Sequence, residues 1–475
     1  SWELKKTESI DVHDAVGSNI RLDARGNEIM RILPRLNEDI NEEWISDKTR
    51  FTYDGLKKRR LDKPYVKKGG KWQEASWAEA FAAIAKKLKG LKGQKIAAIA
   101  GDLQEAESMF ALKALMEKLG SPHLDCRQDG ARLDAKSRAS YLFNTTISGI
   151  DQADVCLLIG TNPRKEAPII NTRLRGRFTS KGLKVAAVGP ELDLTYPVEQ
   201  LGDSAKILSE IAAGKHPFAK VLKAAKNPML ILGQGALARA DGATILGLAR
   251  DIADSCGLVR EGWNGFNLLH TAAARVAGLD MGFVPGPQGL DVAGILDGAD
   301  KGDIEVVYLL GADEIDTTRL KKAFVIYQGS HGDAGVGVAD VILPGAAYTE
   351  KPGTYVNTEG RVQQTLRAVF PPGDAREDWT IIRALSEVVG HVLPFNSLGD
   401  LRAAMVKAVP HFAAVDSITP ASWGKFGTSG EPGKAPLTYA IDNFYMTNPI
   451  CRASRVMAEC SAAMSDEERA TGTHG

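Results

Sequence analysis

The sequence predicts an α/β chain of parallel, doubly wound sheets with a small β-rich lobe at its start. Three observations carry this. Six short apolar runs, Lys95–Ala100, Val155–Ile159, Lys184–Val188, Met229–Leu232, Glu305–Leu310 and Phe324–Tyr327, have the length of strands buried on both faces. Most end in glycine: Gly101, Gly160, Gly189, Gly233, Gly311 and Gly329. Amphipathic segments fall between several of them, at Glu105–Leu119, Ala243–Cys256 and Asn267–Ala277.

The first 75 residues lack that rhythm. Asn19–Asp23 and Glu28–Leu33 alternate apolar and polar residues around Arg25-Gly26-Asn27, a hairpin pattern. Ser76 then reads as an N-cap with Glu79 as its capping-box partner, opening a helix through Ile84 and Leu88. After Gly390 one more helix is expected near Ser397–Val409. A linker-like stretch follows at Thr428–Pro436. Tyr439–Met446, with Ile441, Phe444 and Tyr445, reads as a tail that docks on this chain or a partner. The polar end from Ser465 is expected to fray. The units expected are 1–75, 76–147 together with 301–395, an inserted Rossmann-like unit at 148–300, and a C-terminal helix and docking tail at 396–475.

Composition narrows function. Fifty-nine basic residues balance fifty-nine acidic ones, so charge argues for neither nucleic acid nor an anionic membrane surface. No apolar run reaches the ~20 residues that span a bilayer. The five cysteines, Cys126, Cys156, Cys256, Cys451 and Cys460, form no C-x-x-C pair, so free thiols are expected, with Cys156 inert inside a strand. The chain opens at Ser1 rather than Met, and a fragment or processed chain is expected. Lys57-Lys58-Arg59-Arg60 reads as solvated surface, and Gly233-Gln234-Gly235 as a tight turn rather than a dinucleotide loop. His331, between Ser330 and Gly332, reads as a loop-orienting residue.

Three stretches taken in order carry a resemblance. They are Arg50–Leu56 with Arg60-Leu61 and Ser76-Trp77; Leu157-Leu158-Ile159-Gly160-Thr161-Asn162-Pro163; and Ala339–Pro344 followed by Glu350-Lys351, Gly353–Arg361 and Gln363. Together they resemble the molybdopterin oxidoreductase superfamily over residues 1 to 390. Within it, Trp2–Leu4, Thr7–Val12, Asn37–Arg50, Tyr327–Asp333 and Asn443–Thr447 are similar to the G subunits of respiratory complex I.

The resemblance implies a parent enzyme that passes electrons from NADH to quinone, coupled to proton translocation. It also implies three sites. Laid on the family pattern, the four cysteine ligands of a [4Fe–4S] cluster fall at Asp11, Asp14, Ser18 and Ser46, so no cluster is expected, and the two aspartates are expected to be solvated or capping. The molybdenum ligand would fall in Asp125–Gly130, where Cys126 comes too early and Asp129 reads as a turn residue. The cofactor-clamping barrel would follow Arg361, where little chain remains. The Gly160–Pro163 turn, which approaches the pterin in active relatives, reads as a retained piece of fold.

The expectation is therefore a non-catalytic scaffold with no catalytic, cofactor-binding or metal-binding residue. The [2Fe–2S] and [4Fe–4S] clusters of such a subunit would belong to a Cys-rich region before Ser1. Its partners would be other peripheral-arm subunits and that N-terminal region, at the cytoplasmic face of the bacterial inner membrane or the mitochondrial matrix side. The rival readings are an active molybdopterin-dependent oxidoreductase and a nucleotide-binding module.

Overall fold

The computed structural model describes residues 2–471, with side chains through residue 464. Two parallel sheets dominate. The first has five strands in the order Glu199–Gly202, Lys184–Val188, Val155–Ile159, Pro228–Gly233 and Phe266–Leu269, all parallel. The chain builds outward to one edge, then returns beside Val155–Ile159 and builds to the other. The second has seven strands in the order Lys71–Glu74, Tyr65–Lys68, Val341–Pro344, Phe324–Gly329, Val306–Leu310, Ile96–Ala100 and His123–Asp125. Its last five are parallel, and the hairpin at 65–74 adds two antiparallel strands at one edge. Every residue of Val155–Ile159, Val306–Leu310 and Ile96–Ala100 is buried, as strands covered on both faces require.

Each sheet has one switch point, where consecutive connections leave in opposite directions. They lie beside Gly160 and Gly233 in the first sheet and beside Gly101 and Gly311 in the second. The strands approach closely there. A Cβ on Gly101 would collide with the backbone of Gly311, and one on Gly233 with that of Gly160.

The N-terminal lobe is a three-stranded antiparallel sheet, Lys5–Ile10, Asn19–Arg25 and Glu28–Pro34. The hairpin is as the sequence predicts; Lys5–Ile10 is an additional strand. The capping boxes at Ser76 and Ser397 both form, opening helices Trp77–Leu88 and Leu398–Ala408. The motif from Gly353 to Thr365 is a hairpin, Gly353–Val356 with Val362–Thr365.

Two expectations fail. Asn267–Ala277 is not a helix. Phe266–Leu269 is an edge strand, and the helix covers only Arg275–Asp280. Apolar residues at 268, 269, 272, 273 and 276 suit a helix, but Asn267 decides otherwise. Its side chain donates to Leu230 O at 3.1 Å and to Thr145 Oγ1 at 2.8 Å, sewing the segment to its neighbours as a strand. The chain end is also more regular than expected, because a helix runs Arg455–Thr471. Residues 472–475 of that expected frayed end lie outside the described residues.

Candidate functional site

In doubly wound sheets a ligand binds outside the strand C-termini at the switch point, where loops part and helix N-termini offer free N–H groups. Both switch points here are covered by one segment of the chain's own C-terminal part. A Cβ on Gly235 would collide with Thr438, and one on Gly189 would press on Tyr439. The amide of Ala440 donates to Glu166 at 3.4 Å. The segment then crosses to the N-terminal lobe, where Lys48 donates to Thr447 Oγ1 at 3.0 Å and stands 4.7 Å from the Phe444 ring centre. A short helix, Pro449–Ala453, is capped by Asn448, whose side chain accepts from Cys451 N at 3.0 Å.

Arg452 on that helix meets the rim of the seven-stranded sheet. It bonds Asp313 at 2.8 Å, Glu314 at 2.9 Å and Asp333. Asp313 and Glu314 follow the strand ending at Leu310, and Asp333 follows the strand ending at Gly329. The rim is acidic where an anionic cofactor would need donors. Asp102 follows the strand ending at Ala100, and Gln128 Nε2 donates to both Asp102 and Glu314, at 2.9 Å each. Burial, with Asp102 beside it, pushes Glu314 up to about 8.

The Gly160–Pro163 turn keeps its shape, with Gly160 at φ +53° and Asn162 capping the next helix. Its donors are already used. The Thr161 hydroxyl and the Asn162 amide both donate to the buried carboxylate of Glu166, which burial pushes up to about 7. A carboxylate there repels a phosphate. The Gly233-Gln234-Gly235 turn opens a helix of only four residues, Gln234–Leu237, under the tail.

The other expected positions are structural. Asp129 pairs with the buried Arg275 at 3.1 Å and accepts from Ala131 N at 3.0 Å. Cys126 is buried against Gly278, and burial pushes its thiol up to about 12, far from the thiolate a metal needs. Cys156 is buried too, and burial raises its thiol. His331 bonds Gly55 O at 2.9 Å and Ser330 Oγ at 2.8 Å, holding two loops together. Lys57, Lys58 and Arg59 are exposed, but Arg60 turns inward onto Glu350 with a bidentate contact.

The loop at 11–18 corrects an expectation. Asp11 and Asp14 are not solvated: they are 1% and 2% exposed. Burial and the Asp14 carboxylate push Asp11 up to about 7, and burial raises Asp14 as well, with Lys48 opposing it. Burial and Lys48 hold the neighbouring His13 down at about 3. The loop closes through Asp11 N to Ser18 O at 2.8 Å. It is gripped by the 353–365 hairpin: Asn357 donates to Val16 O at 2.9 Å, Gln363 donates to Gly17 O at 2.9 Å, and Thr358 N donates to Ala15 O at 2.8 Å. Gly17, at φ +71°, leaves room for the Gln363 amide where a Cβ would collide. Ser46 caps the helix Asp47–Phe51, accepting from Thr49 N at 3.1 Å.

A [4Fe–4S] cluster does not fit this loop. It needs thiolates, and residues 4–54 contain no cysteine. The thiol nearest to hand, Cys451, lies 3.9 Å from His13 Nδ1 and is buried. Among the described residues, no three His, Cys, Asp or Glu side chains converge as a metal site.

Comparison with known proteins agrees with this frame. The molybdopterin oxidoreductase family matches residues 60–388. The family described as NADH-ubiquinone oxidoreductase NDSU1/NuoG-like, 4Fe-4S domain, matches residues 4–54. The family for the C-terminal part of the NADH-ubiquinone oxidoreductase G subunit matches 417–460. The chain is 47% identical over 99% of its length to the NADH-quinone oxidoreductase G subunit of Rickettsia bellii, covering 68% of that protein. It is 48% identical over 98% of its length to the mitochondrial NADH dehydrogenase [ubiquinone] iron-sulfur protein 1 of Solanum tuberosum, covering 62% of it. Among solved structures, acetylene hydratase from Pelobacter acetylenicus shares the fold over 81% of this chain and 69% of its own, with a TM-score of 0.58 and 12% identity. A molybdopterin-oxidoreductase frame, a cluster lobe without thiolates and a specific C-terminal segment laid over the switch points thus occur together in one chain, which belongs to the family of NADH-quinone oxidoreductase G subunits.

Proposed function

We propose that this chain is the structural, cofactor-free part of the G subunit in the peripheral arm of the NADH:quinone oxidoreductase, the enzyme that moves electrons from NADH to quinone and couples this to proton translocation. One observation carries the reading: the crevice where this fold takes a ligand is covered by residues 438–452 of the same chain. The [2Fe–2S] and [4Fe–4S] clusters belong to another part of the subunit, consistent with the chain spanning about two thirds of the length of its relatives. No feature of the crevice favours a working molybdenum enzyme or a nucleotide-binding module.

The partners are neighbouring arm subunits and the subunit's own cluster-binding region. Exposed apolar side chains at Trp2, Leu36 and Trp44 on the N-terminal lobe, 93%, 68% and 54% accessible, suit such contacts. No helix among the described residues is long and apolar enough to cross a membrane, in keeping with a place on the cytoplasmic or matrix side. The units we assign are 1–75, 76–147 with 301–395, 148–300, and 396–475.

Deleting residues 436–460 in the full subunit tests the reading. Complex assembly on native gels should weaken, while the spectra of clusters held elsewhere stay unchanged. Intact complex after the deletion would remove the tail's structural role.

A further inference from the structure

Three helices, Trp77–Leu88, Ala106–Leu119 and Asp378–Val388, end beside one another. Their last residues wall a groove of about 690 Å³. None of its lining residues belongs to the tail or to the N-terminal lobe, so it stands apart from the closed crevice. The floor is aliphatic. Leu88, Leu91 and Leu119 are half-buried there, and Val388 is 49% exposed. No Phe, Tyr or Trp lines the groove.

Its charge is of one sign. Lys86, Lys89 and Lys118 line it, and no Asp or Glu does. Other lysines at this end of the molecule are matched: Lys87 and Lys95 pair with Glu305, and Lys113 with Glu117. The three groove lysines have no carboxylate partner among the described residues. Part of their charge answers the helix ends, each of which carries roughly −0.5 of an elementary charge. Three ends offset about half of three lysines, and the groove stays positive. The chain as a whole has equal numbers of acids and bases, so this excess is local.

An aliphatic floor under a cationic rim is matched by a ligand that pairs an apolar stripe with carboxylates. Nucleic acid would leave the floor unused, because it binds through phosphates and through bases stacked on aromatic rings. A bilayer is too broad to enter the groove. A helix with an apolar face fits such a groove, and acids on its flanks reach the rim. We propose that this groove docks an acidic amphipathic helix of a partner protein, its apolar stripe seated on Leu88, Leu91, Leu119 and Val388 and its flanking carboxylates on Lys86, Lys89 and Lys118.

Fluorescence anisotropy of this chain with a labelled helical peptide tests the site. The probe carries leucines at i, i+3, i+4 and i+7 with glutamates on either side. A second peptide has lysine at every glutamate. One saturable site for the glutamate peptide is expected, at least tenfold weaker for the lysine peptide and weakening as NaCl rises. The triple variant Lys86→Glu, Lys89→Glu, Lys118→Glu and the single variant Val388→Asp should each weaken it at least tenfold. All four side chains are exposed, and unchanged circular dichroism confirms that a variant is folded. The comparison of two peptides needs no variant, so a misfolded one leaves it decisive. No saturable binding, equal binding of the two peptides, or folded variants that bind as tightly as wild type overturns the proposal. Displacement of the peptide by phosphatidylglycerol vesicles would overturn it in favour of a membrane. Dimerisation of the chain alone, lost in the triple variant, would overturn it in favour of a second copy.

Discussion

The loop at 11–18 and the switch-point crevice both lie where the family resemblance places a ligand, and they differ in what stands there. The loop keeps its outline but lacks thiolate ligands: Asp11, Asp14, Ser18 and Ser46 stand at the spacing of a cluster site. The crevice keeps its glycine turns but is covered by the tail. The loop survives because the Asn357 and Gln363 amides hold its backbone from outside, independent of any metal. The crevice survives because Arg452 supplies the positive charge its acidic rim needs. A fold sheds a cofactor without collapsing when protein atoms take over what the cofactor held.

Substitutions sharpen that contrast, beginning with the crevice. Arg452→Ala removes the charge shared by Asp313, Glu314 and Asp333 and should cost about 3 kcal/mol, the scale of breaking a buried ion pair. Urea denaturation reads this as a lower midpoint, and new proteolysis near Tyr439 should accompany it. An unchanged midpoint would mean that the tail is held by its apolar contacts alone. In the loop, Asn357→Ala leaves Val16 O and Arg361 N without their side-chain partners and should cost about 2 kcal/mol. A loss larger than that of Arg452→Ala would reverse the ranking of the two regions.

The two regions should respond alike to pH. Asp11 and Glu166 each titrate near 7, well above an unfolded carboxylic acid. Between about pH 4 and pH 7 the folded chain therefore holds more protons than the unfolded one. Stability falls as pH rises through that window, on the order of 1 kcal/mol per pH unit for each group, and levels off above it. Asp11→Asn and Glu166→Gln should each flatten the slope, seen in denaturation midpoints from pH 4 to 8. A wild-type slope that neither variant changes would place the buried protons elsewhere. The smallest effect is at Ser46, a helix cap where the family has a ligand: Ser46→Ala should cost about 1 kcal/mol in the same denaturation assay. No loss at all would mean that the cap contributes nothing to the lobe.

The parallel sheets were legible in the sequence because burial on both faces writes itself as a short apolar run, and the turn after it as glycine. The cap at Ser76 was legible because a capping box is local. Phe266–Leu269 was not, since its apolar spacing suits helix and strand alike and Asn267 chooses through bonds to Leu230 and Thr145. The burial of Asp11 and Asp14 was not legible either. Aspartate is seldom buried, and what encloses these two comes from far along the chain, as in the bond from Asn357 to Val16, 341 positions away. Phe444 and Tyr445 marked a docking segment, but nothing local showed that Arg452 would find three acids on the sheet rim. Asn448-Pro449, a cap followed by proline at the first helical position, was the signal available for the helix that carries it.

The central claim is that this frame holds its crevice closed with its own chain instead of a metal cofactor. Elemental analysis of the purified chain for molybdenum and tungsten, with oxidative release of any pterin, tests it most directly. The account predicts trace metal and no pterin; one metal atom and two pterins per chain would contradict it.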